Sequence, residues 1–323
     1  MLHCATRRVW PRPLGARLWC VVVFGTIAAP LQAQLPESAL SVRGDAGSLV
    51  WWRADHAPAQ WTAGRPEVVR AVHWREVRRG IETGRLDLSG DGVAWRISVV
   101  LARLDAAELR VELQTAPGRD VLPAWTIADA PGAVLAVNAG QFQGAAPWGW
   151  LMHGGRELQP PGNGPLSSVL VIRRSGAIEL LDASEIAAAR ATGDVLEAFQ
   201  SYPSVLVGNG EVPEPLRGPG RGVDLAHRDS RVAICTLRDG RLLLALTRFM
   251  APESPLARLP FGPTAPEMAA IMGALGCRRA VLLDGGLSGQ MALRESGGRL
   301  LRWPGLRAVP LGLVAYPARE SRR

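Results

Sequence analysis

The chain has 323 residues, 47% of them hydrophobic, which is enough for a substantial core in one large domain or two ordinary ones. Its formal charge of +8 comes from 37 basic residues against 29 acidic ones, and every basic residue is Arg. Arg7, Arg8, Arg12 and Arg17 supply +4 of that charge with no acidic neighbour before residue 34, and the rest is spread among mixed charges, so nucleic acid is not an expected partner.

Residues 1–33 read as a secretory signal peptide: a basic stretch through Arg17, an apolar run from Leu18 to Ala29, and Pro30 before Leu31-Gln32-Ala33. The apolar run is shorter than the ~20 residues a bilayer requires, so cleavage before Gln34 is expected, with a periplasmic or secreted product and no membrane span after cleavage. Removal of that segment leaves Cys235 and Cys277, which either pair or stay as two buried thiols. No Cys/His spacing suggests a metal, and no cofactor is expected.

Residues 34–132 form the N-terminal part of the domain. A segment rich in Trp (Trp51, Trp52, Trp61, Trp74) is core filler, and VAWRISVVLARL and ELRVELQT read as two adjacent antiparallel strands joined at Asp105-Ala106-Ala107. Residues 133–317 form the core. PGAVLAVNAGQF is a buried run that delivers Asn138 and Gly140 at its end, and the loop APWGWLMHGGRELQPPGNGP is long enough to be functional, with Trp148 and Trp150 able to stack on a sugar ring and His153 able to donate a hydrogen bond. SSVLVIRRSGAIELLD reads as a hairpin, Ala183 to Phe199 contains a helix, and SYPSVLVGNG adds a strand and a turn at Asn209-Gly210. Arg231 opens a hairpin that turns at Asp239-Gly240. A helix follows, with Thr264 as N-cap, Pro266 in the first turn, Glu267 completing a capping box and Gly276 as the stop.

That helix leads into AVLLDGGLSGQM. Four apolar residues suit a strand buried on both faces, and Asp284 at its end, followed by Gly285, Gly286, Ser288 and Gln290, presents polar groups on a rigid scaffold. The plainer reading is an Asp-Gly turn. VPLGLVAYP reads as the closing strand, and 318–323 as a frayed tail. With no repeat and no linker, the expected fold is α+β: a mixed, largely antiparallel β-sheet core with a few packed helices, in a single domain.

The ordered succession VNAGQF, YPSVLVGNG, SRVAICTLRDG, FGPTAPEMAAIMGALGC and AVLLDGGLSGQM resembles the phosphodiester glycosidase family, whose bacterial members are associated with exopolysaccharides. The resemblance covers roughly residues 133–317. Asn138, Gly140 and Phe142 fall on one family motif, Arg231 on a second, and Asp284, Gly285, Gly286 and Ser288 on a third, whereas Ala139, Gln141, Val232 and Leu287 depart from it. The family implies a hydrolase that cleaves a sugar-1-phosphodiester at the anomeric C–O bond, releasing free sugar and leaving a phosphomonoester on a glycan or cell-envelope polysaccharide. In that chemistry Arg231 supports the departing phosphate through two parallel hydrogen bonds. Asp284 acts at the anomeric centre as base, nucleophile or charge stabiliser. Asn138 and Ser288 position hydroxyls, and the glycines bring backbone N–H groups to phosphate oxygens. The second carboxylate is not singled out: Asp224, Asp229 and Glu211 are candidates by nearness in sequence alone. The alternative is a non-catalytic polysaccharide-binding or exopolysaccharide-assembly protein with Trp148 and Trp150 as its platform, a reading that Leu287 in place of a family glycine favours.

Overall fold

A computed structural model describes residues 38–44, 47–90, 96–115, 132–144, 146–164, 166–218, 223–250 and 261–318, all within one compact unit. The expected signal peptide and residues 319–323 of the expected tail lie outside the described residues. In chain order the first strands are β1 (Ala39–Gly44), β2 (Gly47–Arg53), β3 (Arg75–Arg78), β4 (Ile81–Gly90), β5 (Arg96–Leu104), β6 (Leu109–Thr115) and β7 (Leu135–Asn138), with α1 (Pro66–Ala71) between β2 and β3. Short strands β8 (Phe142–Gln143) and β9 (Ala146–Pro147) precede β10 (Leu151–His153), β11 (Arg156–Gln159), β12 (Ser168–Arg173) and β13 (Ile178–Asp182). After α2 (Ile186–Ala191) come β14 (Val195–Ser201), β15 (Ser204–Leu206), β16 (Val232–Leu237) and β17 (Leu242–Phe249). Then α3 (Ala265–Ala274) leads to β18 (Cys277–Leu283), β19 (Met291–Arg294), β20 (Leu300–Trp303) and β21 (Leu311–Pro317).

Every ladder between these strands is antiparallel. A nine-stranded sheet runs β15-β18-β16-β17-β5-β4-β1-β2 with β3 also paired to β4, and two five-stranded sheets run β11-β10-β14-β12-β13 and β20-β19-β7-β21-β6. The structure is therefore α+β, as its sequence pattern implies. Its central strands are buried on both faces, and the two-residue period of a strand shows how. In β16, Ala233, Cys235 and Leu237 join a core shared with Trp51, Trp61 and Met268, while Val232 and Ile234 join a second core shared with β7, β19 and β21. β18 divides the same way, Ala280 and Leu282 to one side and Val281 and Leu283 to the other. Apolar runs without polar alternation follow directly from this two-sided burial.

One expectation is overturned. β5 and β6 do not pair. β5 is hydrogen-bonded along its length by β4 on one edge and β17 on the other, so no edge is left for β6, which crosses to another sheet and pairs with β21. The helix expected within Ala183 to Phe199 is present at Ile186–Ala191, after a 3-10 turn, and is followed by β14, which lies between β10 and β12. Cys235 and Cys277 form a disulfide joining β16 to β18, at a sequence separation of 42. The capping box of α3 is present as read: Thr264 Oγ1 accepts from the Glu267 backbone N–H, and Glu267 accepts from the Thr264 backbone N–H at 2.9 Å.

Candidate active site

β18 lies in the nine-stranded sheet and β7 in a neighbouring one, and the chain just past both strand ends is tied together. The Asp284 N–H donates to the Gly140 carbonyl at 2.8 Å. Asn138, fully buried, donates from Nδ2 to the Asp284 carbonyl at 2.6 Å and accepts the Gln290 N–H at Oδ1 at 3.0 Å, so one side chain clamps both ends of the turn 284–290. From the other side the Gly286 N–H donates to the Ser230 carbonyl at 2.8 Å, and the Ser230 hydroxyl donates back to the Gly286 carbonyl at 3.0 Å.

The two glycines answer different needs. A Cβ on Gly285 would stand 2.2 Å from the Ser230 carbonyl oxygen, so no side chain fits there. Gly286 has φ of +55°, a left-handed conformation that glycine adopts without strain, and a Cβ there would stand 2.7 Å from an Asp229 carboxylate oxygen and push that side chain aside.

That second contact places Asp229 against the Gly-rich turn. Asp229, Arg231, Asp284, Ser288 and Arg307 all line one cavity of about 320 Å³, together with Gln141 and Pro203. Burial pushes the Asp284 carboxyl up, with the nearby Asp229 charge adding to it, against the Ser288 hydrogen bond and the Arg307 charge. Burial likewise pushes Asp229 up, against the Arg231 charge, the Ser230 N–H and His227. Both carboxyls are thus held up mainly by burial, and the Asp229 charge further disfavours ionisation of Asp284.

Burial lowers the pKa of Arg231, and the charges of Asp229, Glu267 and Asp224 work against that shift. Its Nε donates to the Pro263 carbonyl at 3.0 Å and one Nη to the His227 carbonyl at 2.7 Å, while its backbone N–H donates to Thr247 Oγ1 at 2.6 Å. Among the described residues the other Nη has no hydrogen bond, which leaves a donor for an anion. Arg307 is held differently. Its own N–H and that of Leu306 both donate to the Leu287 carbonyl, at 2.9 and 2.7 Å, and its carbonyl accepts from Gln290. The loop before β21 is thereby fixed to the turn that carries Asp284.

The other expected site residues divide. Asn138 and Gly140 shape the site without lining the cavity, Asn138 as the buried clamp and Gly140 (φ +74°) as the turn whose carbonyl holds Asp284. Ser288 is buried against Asp284, and Leu287 lines the cavity with its side chain 48% exposed. Trp150 is not a stacking platform: it is 1% exposed, packed between its sheet and α2, and its Nε1 donates to Glu157. Trp148 sets its ring edge-on to Tyr202 at 4.7 Å, while Gly162 packs against it, so it does not line the cavity. His153 pairs with Glu197 at 3.0 Å on β10, and Phe142 packs against the core; neither reaches the cavity.

Of the second-carboxylate candidates, only Asp229 lines the cavity: Asp224 accepts the Ala226 and His227 N–H groups of its own turn, and Glu211 bridges Val207 and Gln60. The usable signal for Asp229 is its place in Asp-Ser-Arg directly before β16. Arg307 has none, being one Arg among 37 in a Gly-Pro loop. Among the described residues, no three His, Cys, Asp or Glu side chains converge as a metal shell, and no helix is long and apolar enough to cross a membrane.

A cavity at adjoining strand ends, with paired carboxyls and guanidinium groups, belongs on this chain to a defined class. Residues 131–316 match the phosphodiester glycosidase family over more than half the chain, and the chain belongs to that family. Among solved structures, the zebrafish N-acetylglucosamine-1-phosphodiester alpha-N-acetylglucosaminidase catalytic domain, auto-inhibited by its pro-peptide, shares the fold at a TM-score of 0.56 with 16% identity, over 77% of this chain and 88% of that one. A hypothetical protein from Synechocystis matches at a TM-score of 0.49 and 16% identity, over 83% of this chain and 65% of that one. No curated protein sequence matches the chain.

Proposed function

We propose that the chain hydrolyses a sugar-1-phosphodiester at the bond between the anomeric carbon and the phosphate oxygen. A water oxygen ends on the anomeric carbon, the bonding pair leaves with the phosphate, and the products are a free sugar and a phosphomonoester. The observation that carries this reading is the convergence of Asp284, Asp229, Arg231 and Arg307 on one cavity.

Asp284 takes the water proton. Asp229, which lines the same cavity as Arg231, is placed to deliver a proton to the departing oxygen. Phosphate leaves readily, so the guanidinium groups matter more than the acid: they neutralise the charge that develops on the departing oxygens. Asn138 acts through Asp284 by clamping its carbonyl, and is a positioning residue.

In this reading the substrate is a cell-envelope glycan and the enzyme is periplasmic or secreted. The pattern of residues 1–33 supports that location, as does the Cys235–Cys277 disulfide, a bond found mainly in oxidising compartments. The test is product analysis on protein beginning at Gln34, given sugar-1-phosphodiesters that include an N-acetylglucosamine-1-phosphate diester and a nucleotide sugar, beside Asp284→Asn. Free reducing sugar from the wild type alone supports the assignment. Phosphate without free sugar would make the protein a phosphatase, and silence across the panel would favour the polysaccharide-binding reading.

A further inference from the structure

Eight large apolar side chains are conspicuously exposed among the described residues: Leu49, Val50, Val69, Leu158, Tyr202, Phe261, Leu287 and Leu306. The first four lie on β2, α1 and β11. The other four lie on segments that line the carboxylate cavity or pack against a residue that does. Leu287 lines it, and Leu306, 53% exposed, precedes the lining residue Arg307 and donates its N–H to the Leu287 carbonyl. Tyr202, 45% exposed, precedes the lining residue Pro203, and its carbonyl accepts from Gln141, which also lines the cavity. Phe261, 55% exposed, precedes Gly262, whose Cβ would stand 2.3 Å from the Asp229 carbonyl oxygen. Tyr202 and Phe261 each keep one ring contact, with Trp148 and Phe249, while Leu287 and Leu306 stay about half exposed on two segments bonded to each other at the cavity, and clustered apolar exposure of this kind marks a contact surface.

Resting on the phosphodiester reading of this site, we propose that the border receives the hydrocarbon chain of the substrate's leaving partner, so that the diester joins a sugar to a long-chain alcohol through phosphate. A cavity of about 320 Å³ is at the small end for a ligand site, enough for a sugar and its phosphate, so whatever lies beyond the phosphate must pass over the border. Leu287 and Leu306 offer no side-chain donor or acceptor. A second sugar laid on them would give up water from its hydroxyls without replacement, whereas methylene groups gain by leaving water. Arg231 and Arg307, which line the cavity, complement the phosphate. Cleavage then frees the sugar and leaves an alkyl phosphate.

Calorimetric binding of n-octyl phosphate, glycerol 3-phosphate and octyl glucoside to the wild-type protein and to Leu287→Ser/Leu306→Ser tests this without knowledge of the sugar. Both leucines are about half exposed, and the melting temperature of the variant controls for folding. Octyl phosphate should bind at least about tenfold more tightly than glycerol 3-phosphate, since burial of two methylenes suffices for that ratio, and more tightly than octyl glucoside, which has the same chain but no phosphate. The double variant should bring the preference over glycerol 3-phosphate close to one. Equal affinity for the two phosphates overturns the inference and leaves the phosphodiester reading intact, even if the protein binds lipid vesicles. Octyl glucoside binding as tightly as octyl phosphate also overturns it, because the border would then be a surface independent of the phosphate site. Failure of every phosphate ester to bind removes the phosphate site itself, and the phosphodiester reading with it.

Discussion

Replacing Asp284 by Asn keeps the size of the side chain and removes its charge, which separates chemistry from folding. Turnover should fall by about 10²–10⁴-fold. Stability should move the other way. Burial raises the folded-state pKa of this carboxyl, so between the ordinary Asp range and that raised value the native state binds more proton than the unfolded chain, and stability declines as pH rises through the window. Asp284→Asn should therefore melt above the wild type at pH 7, with the gap closing below pH ~4, where the Asp is neutral in both states. A variant that melts lower at pH 7 would mean that Asp284 holds the turn together. Asp229→Asn should behave alike and, as the second carboxyl of the cavity, should remove one limb of the pH profile of kcat/KM. Arg231 differs from both, because its guanidinium also bonds two backbone carbonyls. Arg231→Ala should lose activity and also about 1–3 kcal/mol of stability in urea titration, and Arg231→Lys should restore neither, lacking the planar fork.

At the scale of elements, the N-terminus of α3 and the segment leading into β16 are held as one piece. Glu267 is buried in the first turn of that helix, where its two oxygens accept from the two Nη atoms of Arg228, each at 2.7 Å, and it also takes the Ser38 hydroxyl and the Thr264 N–H. Arg228 immediately precedes Asp229, so the pair anchors the approach to the site. Glu267→Ala should cost on the order of 3 kcal/mol in chemical denaturation, because it removes the cap and strands the partners of a buried carboxylate. A loss below 1 kcal/mol would show that solvent reaches Arg228 and replaces the pair.

Across the whole molecule, the nine-stranded sheet carries a core on each face, and its disulfide lies at the contact between β16 and β18, the two strands that deliver Asp229 with Arg231 and Asp284 respectively. A loop of 42 residues closed in the unfolded chain implies ~4 kcal/mol from chain entropy. Cys235→Ala/Cys277→Ala should lose stability of that order under oxidising conditions and retain the arrangement of the site, since the strand ladder and the Ser230–Gly286 hydrogen bonds persist without the sulfurs. Unchanged melting with and without reductant would mean that the two cysteines are not bonded in solution.

The sequence by itself determined what is local: apolar runs that suit strands buried on both faces, the capped helix before β18, the hairpin at Asp239-Gly240, and the polar residues with glycine that end two of those runs. It also carried the family, because five motifs in one order survive changes at Ala139, Gln141, Val232 and Leu287. Tertiary structure decided what depends on distant partners. β5 spends both edges on β4 and β17, which no pattern within β5 or β6 announces. Trp148 and Trp150 read alike in a Gly-Pro loop, yet one is buried by α2 and the other packs on Tyr202, because the burial of a side chain is set by what the fold brings against it. Asp229 and Arg307 enter the site for the same reason. Charge is a property of the residue, but a shared cavity is a property of chain segments far apart in sequence, joined here by the bonds from Ser230 to Gly286 and from Leu287 to Arg307.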